Sequence, residues 1–260
     1  MNPLDRALIE KAGNDNGFEN VLPDEREVVC LGSARHRAQV CIAQQSDLFE
    51  IEFTSVVAGQ LSAELARSFP DVERKNSTFV ADSLDELAQL LRRAAALAHA
   101  LPNQVALDFE TQVSKELKQF PSVEIQNTEV ERIVRQRVGQ QAFRQALMEY
   151  WGGACAVTGV ALPEILRASH AKPWAECVSD AERLDVFNGF LLNANLDALF
   201  DRFLITFSED GDLMVSPSIS ATTKKLLGLD KPMQLRWLAH EHQLYLEFHR
   251  ARFFGSDESN

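Results

Sequence analysis

The segment Ser169-His170-Ala171-Lys172-Pro173-Trp174 constrains the fold of this chain more than any other stretch. Asn188-Gly189 follows the histidine by eighteen residues, and Asp197 follows the asparagine by nine. The apolar runs on either side, Glu164 to Ser169 and Gly189 to Leu192, have the length of strands. Pro173 breaks regular structure between them, so residues 172 to 187 are expected to form a long loop. Asn195 is placed to cap a helix that includes Asp197 and Asp201. The spacing therefore predicts a compact strand, loop, strand, helix unit.

Around that unit the pattern changes along the chain. Residues 1 to 104 read as an independent α+β module, opened by a short amphipathic stretch with Leu4, Leu8 and Ile9. Glu27 to Leu31, Ala38 to Ile42 and Leu48 to Phe53 predict a meander of about three strands, the last alternating apolar and acidic residues. Ser83 and Glu86 form a capping box for a helix carrying Leu84, Leu87, Leu90, Leu91, Ala94 and Leu97, which Pro102 is expected to end. A connector over 105–127 holds a short amphipathic helix with Phe109, Val113, Leu117 and Phe120. The domain boundary is placed near residue 126.

A second capping box, Thr128 with Glu131, predicts a helix to about Tyr150 with Ile133, Val134, Val138, Phe143 and Leu147 inward, stopped by Gly152-Gly153. Beyond the central unit, residues 204–207 and 213–215 read as a hairpin turning at Asp210-Gly211, and residues 237–254 as an aromatic-rich helix. Only the tail after Phe254 reads as disordered.

The totals exclude several classes. A chain of 260 residues, 45% hydrophobic, can bury one large core or two moderate ones, and two are expected. A formal net charge of -12 argues against a protein that coats nucleic acid over its whole surface, because phosphate affinity comes from Lys and Arg releasing counterions. Any such contact must be local. No run of eighteen apolar residues is present and the first thirty residues are too polar for a secretory signal, so a soluble cytoplasmic protein is expected. Cys30, Cys41, Cys155 and Cys177 show neither zinc-knuckle nor dense disulfide spacing and are expected to be reduced and buried. The alternatives are that Cys30 faces Cys41 across a hairpin, or that Cys155 touches Cys177.

Asp197 and Asp201, four apart, share one helix face, where two like charges repel. His170, with an ordinary pKa near 6.5, is a natural base for activating water at neutral pH. Phosphodiester hydrolysis needs such a base and a cation on the phosphate oxygens, and the histidine, asparagine and carboxylates together supply the parts for one.

Met148 to Gly159, the Ser169 to Trp174 block, Asn188-Gly189-Phe190-Leu191-Leu192 and Leu199-Phe200-Asp201-Arg202 resemble the HNH endonucleases, in particular the branch of bacterial putative restriction endonucleases. Arg137 to Arg144 and Cys155 to Gly159 resemble that branch too, so the likeness covers about residues 130 to 254. It implies an α+β chain: an N-terminal α+β module over 1–104, the 105–127 connector, and a ββα-metal nuclease domain with flanking helices over 128–260. The likeness makes His170 the general base and gives Asn188 the task of holding the loop that orients it. Asp197 stands at the position of the last histidine in the family name, and Asp201 at the further metal position one turn on. Ser169 stands where many relatives have an acidic or histidine ligand, and is expected to act through water or the local backbone. An all-oxygen set favours one Mg²⁺ or Mn²⁺ over Zn²⁺ or Ni²⁺.

The implied substrate is double-stranded DNA, with 5′-phosphate and 3′-hydroxyl products. One site cuts one strand, so a homodimer or two binding events are needed for a double-strand break. Arg132, Arg135, Arg137 and Arg144 are the densest cationic group, with Lys172, Arg183 and Arg202 nearer the site, and Arg137, Arg144, Lys172 and Arg202 are the expected phosphate contacts. Trp174 and Phe187 are expected to pin the loop. His240, His242 and His249 lie on a helix that needs Leu238, Leu244, Leu246 and Phe248 for packing, and are not expected to form a second metal site. Arg35, His36 and Arg37 lie in an expected turn that could approach DNA, and the first module would read a sequence or a modified base, or act as a sensor. The competing reading is a non-catalytic nucleic-acid-binding or regulatory protein on a degenerate scaffold.

Overall fold

The computed structural model describes residues 1–23, 27–46, 48–54, 58–119 and 128–255. The expected boundary at 126, Phe120, the Thr128 cap and the tail beyond 255 fall outside this description. The chain mixes helix and sheet and divides into two compact units, Met1–Gln104 and Val105–Asn260.

In the first unit, helix α1 (Pro3–Asp15) begins at Asn2, whose side chain accepts the Asp5 N–H at 2.9 Å. The sheet is larger than three strands. Strands β1 (Asn20–Val21), β2 (Val28–Gly32), β3 (Val40–Gln45), β4 (Leu48–Phe53), β5 (Arg74–Lys75) and β6 (Thr78–Ala81) pair antiparallel in the order β1-β2-β3-β4-β6-β5. In β4 the period-two reading is exact: Phe49, Ile51 and Phe53 are buried, with Leu48, Glu50 and Glu52 between them. The two-residue strands and helix α2 (Ala58–Ser68) carry too short a pattern to be read from sequence. Helix α3 (Leu84–Ala100) starts as expected, with the Ser83 hydroxyl accepting the Glu86 N–H at 3.2 Å. Glu86 returns the contact to the Asp82 N–H at 2.8 Å, one residue before the cap.

The expectation that all four cysteines are reduced is corrected here. Cys30 and Cys41 lie directly opposite in the β2–β3 register and form a disulfide, with Cα atoms 4.1 Å apart. Adjacent strands bring the two thiols together at a distance that sequence separation alone does not reveal. Cys155 and Cys177 are free and buried. His36 is also not at a polar turn tip: it is 4% exposed, packed edge-on against Phe18 and His99.

In the second unit, helix α4 (Pro102–Leu117) is longer than the short connector helix expected, and it buries Val105, Phe109 and Val113. Pro102 opens this helix instead of ending regular structure, since a missing N–H costs nothing in a first turn. Helix α5 (Thr128–Tyr150) buries Val134, Val138, Phe143, Ala146 and Leu147, while Ile133 is exposed, contrary to expectation. Gly152 and Gly153 both have positive φ, which stops α5 without a Cβ clash.

Strand β7 (Leu166–His170) pairs antiparallel with β8 (Gly189–Asn193), His170 opposite Gly189. Between them the chain is not an open loop. It contains single 3₁₀ turns at Trp174–Glu176 and Val186–Asn188 and a short helix α6 (Asp180–Leu184) capped by Ser179. Helix α7 (Ala194–Phe200) follows β8 directly. Its cap is Asn193, not Asn195: the Asn193 side chain accepts the N–H groups of Asn195 and Leu196, both at 3.1 Å. Strands β9 (Ile205–Phe207) and β10 (Leu213–Val215) form the expected hairpin. After helix α8 (Ala221–Leu226), helix α9 (His242–Gly255) closes the unit, starting five residues later than the pattern suggested. Among the described residues no helix is long and apolar enough to cross a membrane.

Candidate active site

Strand β7 carries Ser169 and His170, the 3₁₀ turn before β8 ends at Asn188, and α7 with its C-cap carries Asp197 and Asp201. His170 ends β7, and its ring stacks on Phe143 of α5, with centroids 3.7 Å apart and planes at 15°. Trp174 meets its edge at 5.8 Å. The Nε2 atom lies 2.9 Å from the Arg183 carbonyl, which can only accept, so Nε2 carries the proton and Nδ1 keeps a lone pair. Burial pushes the His170 pKa down to about 4. The imidazole is therefore neutral at physiological pH, the state a base requires.

Two glycines make this packing possible. A Cβ on Gly189 would come within 2.5 Å of the Ser169 carbonyl and 2.6 Å of Phe143, and one on Gly139 within 2.4 Å of the Trp174 ring. Gly139 and Phe143 are four apart on α5, so a single helix face supports both aromatic neighbours of His170.

Asn188 is fully buried. Its Oδ1 accepts the Lys172 N–H at 2.8 Å, and its Nδ2 donates to the Glu182 carbonyl at 2.9 Å and to the Lys172 carbonyl at 3.3 Å. The Asn188 carbonyl accepts the Ala171 N–H at 2.9 Å. The Asn188 side chain thus ties the start of the inter-strand segment at Lys172 to Glu182 further along it, while its backbone holds Ala171.

The carboxylates come close to each other but play unequal parts. Asp197 lies in the first turn of α7, and its Oδ1 accepts the Ser169 hydroxyl at 2.7 Å. Ser169, 1% exposed, thus has its hydroxyl engaged by the Asp197 carboxylate. Asp201 is the C-terminal cap, its N–H donating to the Asp197 carbonyl at 2.9 Å. Burial, and then the charge of Asp197, hold the Asp201 carboxyl above its ordinary pKa. Asp201 and His170 line one cleft of about 300 Å³, walled by Ala168, Pro173, Trp174 and His249.

Two hard carboxylates whose charges repel form a donor set suited to a small divalent cation, which would relieve that repulsion. Among the described residues, however, no group of three or more His, Cys, Asp or Glu side chains converges.

His249 is the residue sequence reading underestimated. Its Nε2 donates to the Phe200 carbonyl at 3.0 Å, its Nδ1 accepts from the Thr206 hydroxyl at 2.9 Å, and its ring stacks on Phe200 at 3.8 Å. It therefore fastens α9 to the end of α7, one residue before Asp201. His242, fully buried, stacks on Phe190 in the core. Both are packed in the core of the second unit.

The expected phosphate contacts disperse. Arg144 donates to the carbonyls of Leu166 at 2.7 Å and Pro163 at 3.1 Å, fixing the entry to β7. Lys172 pairs with Glu182 at 2.9 Å within the inter-strand segment. Arg137 is exposed but paired with Glu116 of α4. Arg202 beside Asp201 is exposed and touches the Ala198 carbonyl at 3.0 Å. Arg144 and Lys172 are thus engaged in holding the fold.

An antiparallel strand pair and the helix that follows it form a ββα unit that brings together a histidine, a buried asparagine and two carboxylates. Residues 155–208, within the second unit, match the family model described as HNH endonuclease. No curated protein matches the chain.

Proposed function

We propose that the protein is a metal-dependent DNA endonuclease whose general base is His170. The observation that carries this reading is the His170 ring itself: neutral, tautomer set by the Arg183 carbonyl, and lining one cleft with Asp201. Nδ1 would take the proton of the attacking water, a contribution of about 10²- to 10⁴-fold. Asp197, oriented by Ser169, and Asp201 would hold the ion, with Mg²⁺ or Mn²⁺ favoured by all-oxygen ligation. When bound, the ion would stabilise charge on the phosphate and the leaving oxygen. Asn188, having no surface to offer substrate, would position the segment that supplies the Arg183 carbonyl.

Restriction of foreign DNA inside the cell is the role we assign, with residues 1–104 reading a sequence or a modified base and two copies acting at a double-strand break. The test is cleavage of plasmid DNA, unmodified or carrying modified cytosine, in Mg²⁺, Mn²⁺ or EDTA, by the wild type and by His170→Ala. Cutting that needs a divalent ion and drops at least a hundredfold in the variant is expected. Equal cutting by both proteins overturns the assignment of the base, and no cutting in any metal overturns the enzyme.

The two-carboxylate donor set favours one other reading, a nucleic-acid-binding protein on the same scaffold without catalysis. Metal-independent DNA binding with no strand scission in any of those conditions would support it.

A further inference from the structure

A second cavity, of about 370 Å³, has Arg132, Arg135, Trp174, Ala175, Asp180 and Arg183 in its wall. Trp174 also lines the His170 cleft, so the two cavities share that indole. Three guanidinium groups face one carboxylate there, in a chain of net charge -12. Two of the three are fixed. Arg135 is held between Glu110 at 2.5 Å and Asp180 at 2.8 Å, and Arg183 by Asp180 at 3.0 Å and the Cys177 carbonyl at 2.6 Å.

Arg132 is held differently. Its partner is Glu129, three residues earlier on the same helix, and both side chains are well over half exposed. Such a surface pair is worth little, so the guanidinium can leave it for a better acceptor. A phosphate is that acceptor, because the planar fork matches its oxygens bidentately.

We infer that this cavity binds a backbone phosphate of DNA flanking the scissile one, with Arg132 as its movable contact and Arg135 and Arg183 as its fixed charges. The inference rests on the nuclease reading. It replaces Arg144 and Lys172, which serve the fold, with a cationic pocket that adjoins the base through Trp174. Gly139 packs against the Trp174 ring that separates the two cavities, leaving no room for a Cβ between them.

The test is fluorescence anisotropy of a labelled DNA duplex with the full chain in EDTA, over a series of KCl concentrations. Wild type is compared with Arg132→Gln and with Ala175→Glu, which places a carboxylate at an exposed position in the pocket wall. Circular dichroism confirms that each variant is folded. Arg132→Gln is expected to weaken binding several-fold and to lower the slope of log affinity against log salt by about one. Ala175→Glu is expected to weaken binding at least as much. If the duplex binds wild type and both variants alike with equal slopes, the pocket assignment is wrong while the nuclease reading stands. If the wild type neither binds nor cuts DNA, the nuclease reading fails and takes the pocket with it. Competition separates a strand from a free nucleotide: deoxynucleoside monophosphate at millimolar concentration should leave the duplex bound, and displacement at micromolar concentration would overturn the strand assignment.

Discussion

Ser169 and His249 show how much of this site depends on residues that hold other side chains and segments in place. Ser169 holds Asp197 by one hydrogen bond, so Ser169→Ala should leave the fold intact while disorienting a carboxylate. Outer contacts of this kind are worth about 10- to 100-fold in metal affinity. The expected result is a rise of about tenfold or more in the Mn²⁺ concentration needed for half-maximal plasmid cleavage, with an unchanged melting temperature; an unchanged Mn²⁺ requirement would reject the role. His249→Leu takes its partner from the buried Thr206 hydroxyl and removes one of the two donors to the Phe200 carbonyl, which keeps the Phe203 N–H. About 1–3 kcal/mol of stability should be lost in urea denaturation, and His249→Gln, which can still donate to Phe200, should lose less.

At the scale of elements, α5 acts as a template for the base. Gly139 admits Trp174 and Phe143 stacks on His170. A Gly139→Ala change would raise helix propensity, and on an exposed face that would stabilise the helix. Here the methyl group must displace the indole, and overpacking of this kind costs about 1–3 kcal/mol. A lower melting temperature, a shifted tryptophan emission and slower cleavage are expected together. Stabilisation by Gly139→Ala would show that Trp174 has room to move. Strands β2, β3, β4, β7 and β8, helix α5 and the Ser83 capping box were legible in the sequence because each rests on local period or local hydrogen bonding. The cap of α7 was misplaced by two residues because Asn193 and Asn195 have the same side chain. Only the backbone at the end of β8 selects between them.

For the whole molecule, buried histidines set a pH limit in each unit. His36 in the first and His249 in the second are almost fully buried, and burial holds both pKa values down to about 4. Unfolding returns them to about 6.5, so the unfolded chain binds more protons between those values. Stability is thus unaffected above about pH 7, falls as pH drops from about 6.5 to 4, and levels off below. Between pH 7 and pH 5 each histidine should cost its unit about 2 kcal/mol, visible as a lower urea midpoint; equal midpoints at the two pH values would contradict this. The Cys30–Cys41 disulfide belongs to the first unit alone. Reduction should remove about 2–3 kcal/mol there by loosening an eleven-residue constraint on the unfolded chain. Plasmid cleavage by the second unit should persist in reductant, and its loss would place the disulfide in the catalytic function.

The sequence by itself determined the central unit: the strand, inter-strand segment, strand and helix, the histidine at its start and the two carboxylates one turn apart. Those features follow from spacing along one chain, which strand and helix geometry convert directly into position. Tertiary structure decided the rest. It paired Cys30 with Cys41, buried His36, and turned Ser169 toward Asp197. Arg144 and Lys172 became parts of the fold, and Arg132, Arg135 and Arg183 came together around Trp174. Each of these depends on which side chains meet across distant segments, and that is settled by packing and not by local pattern.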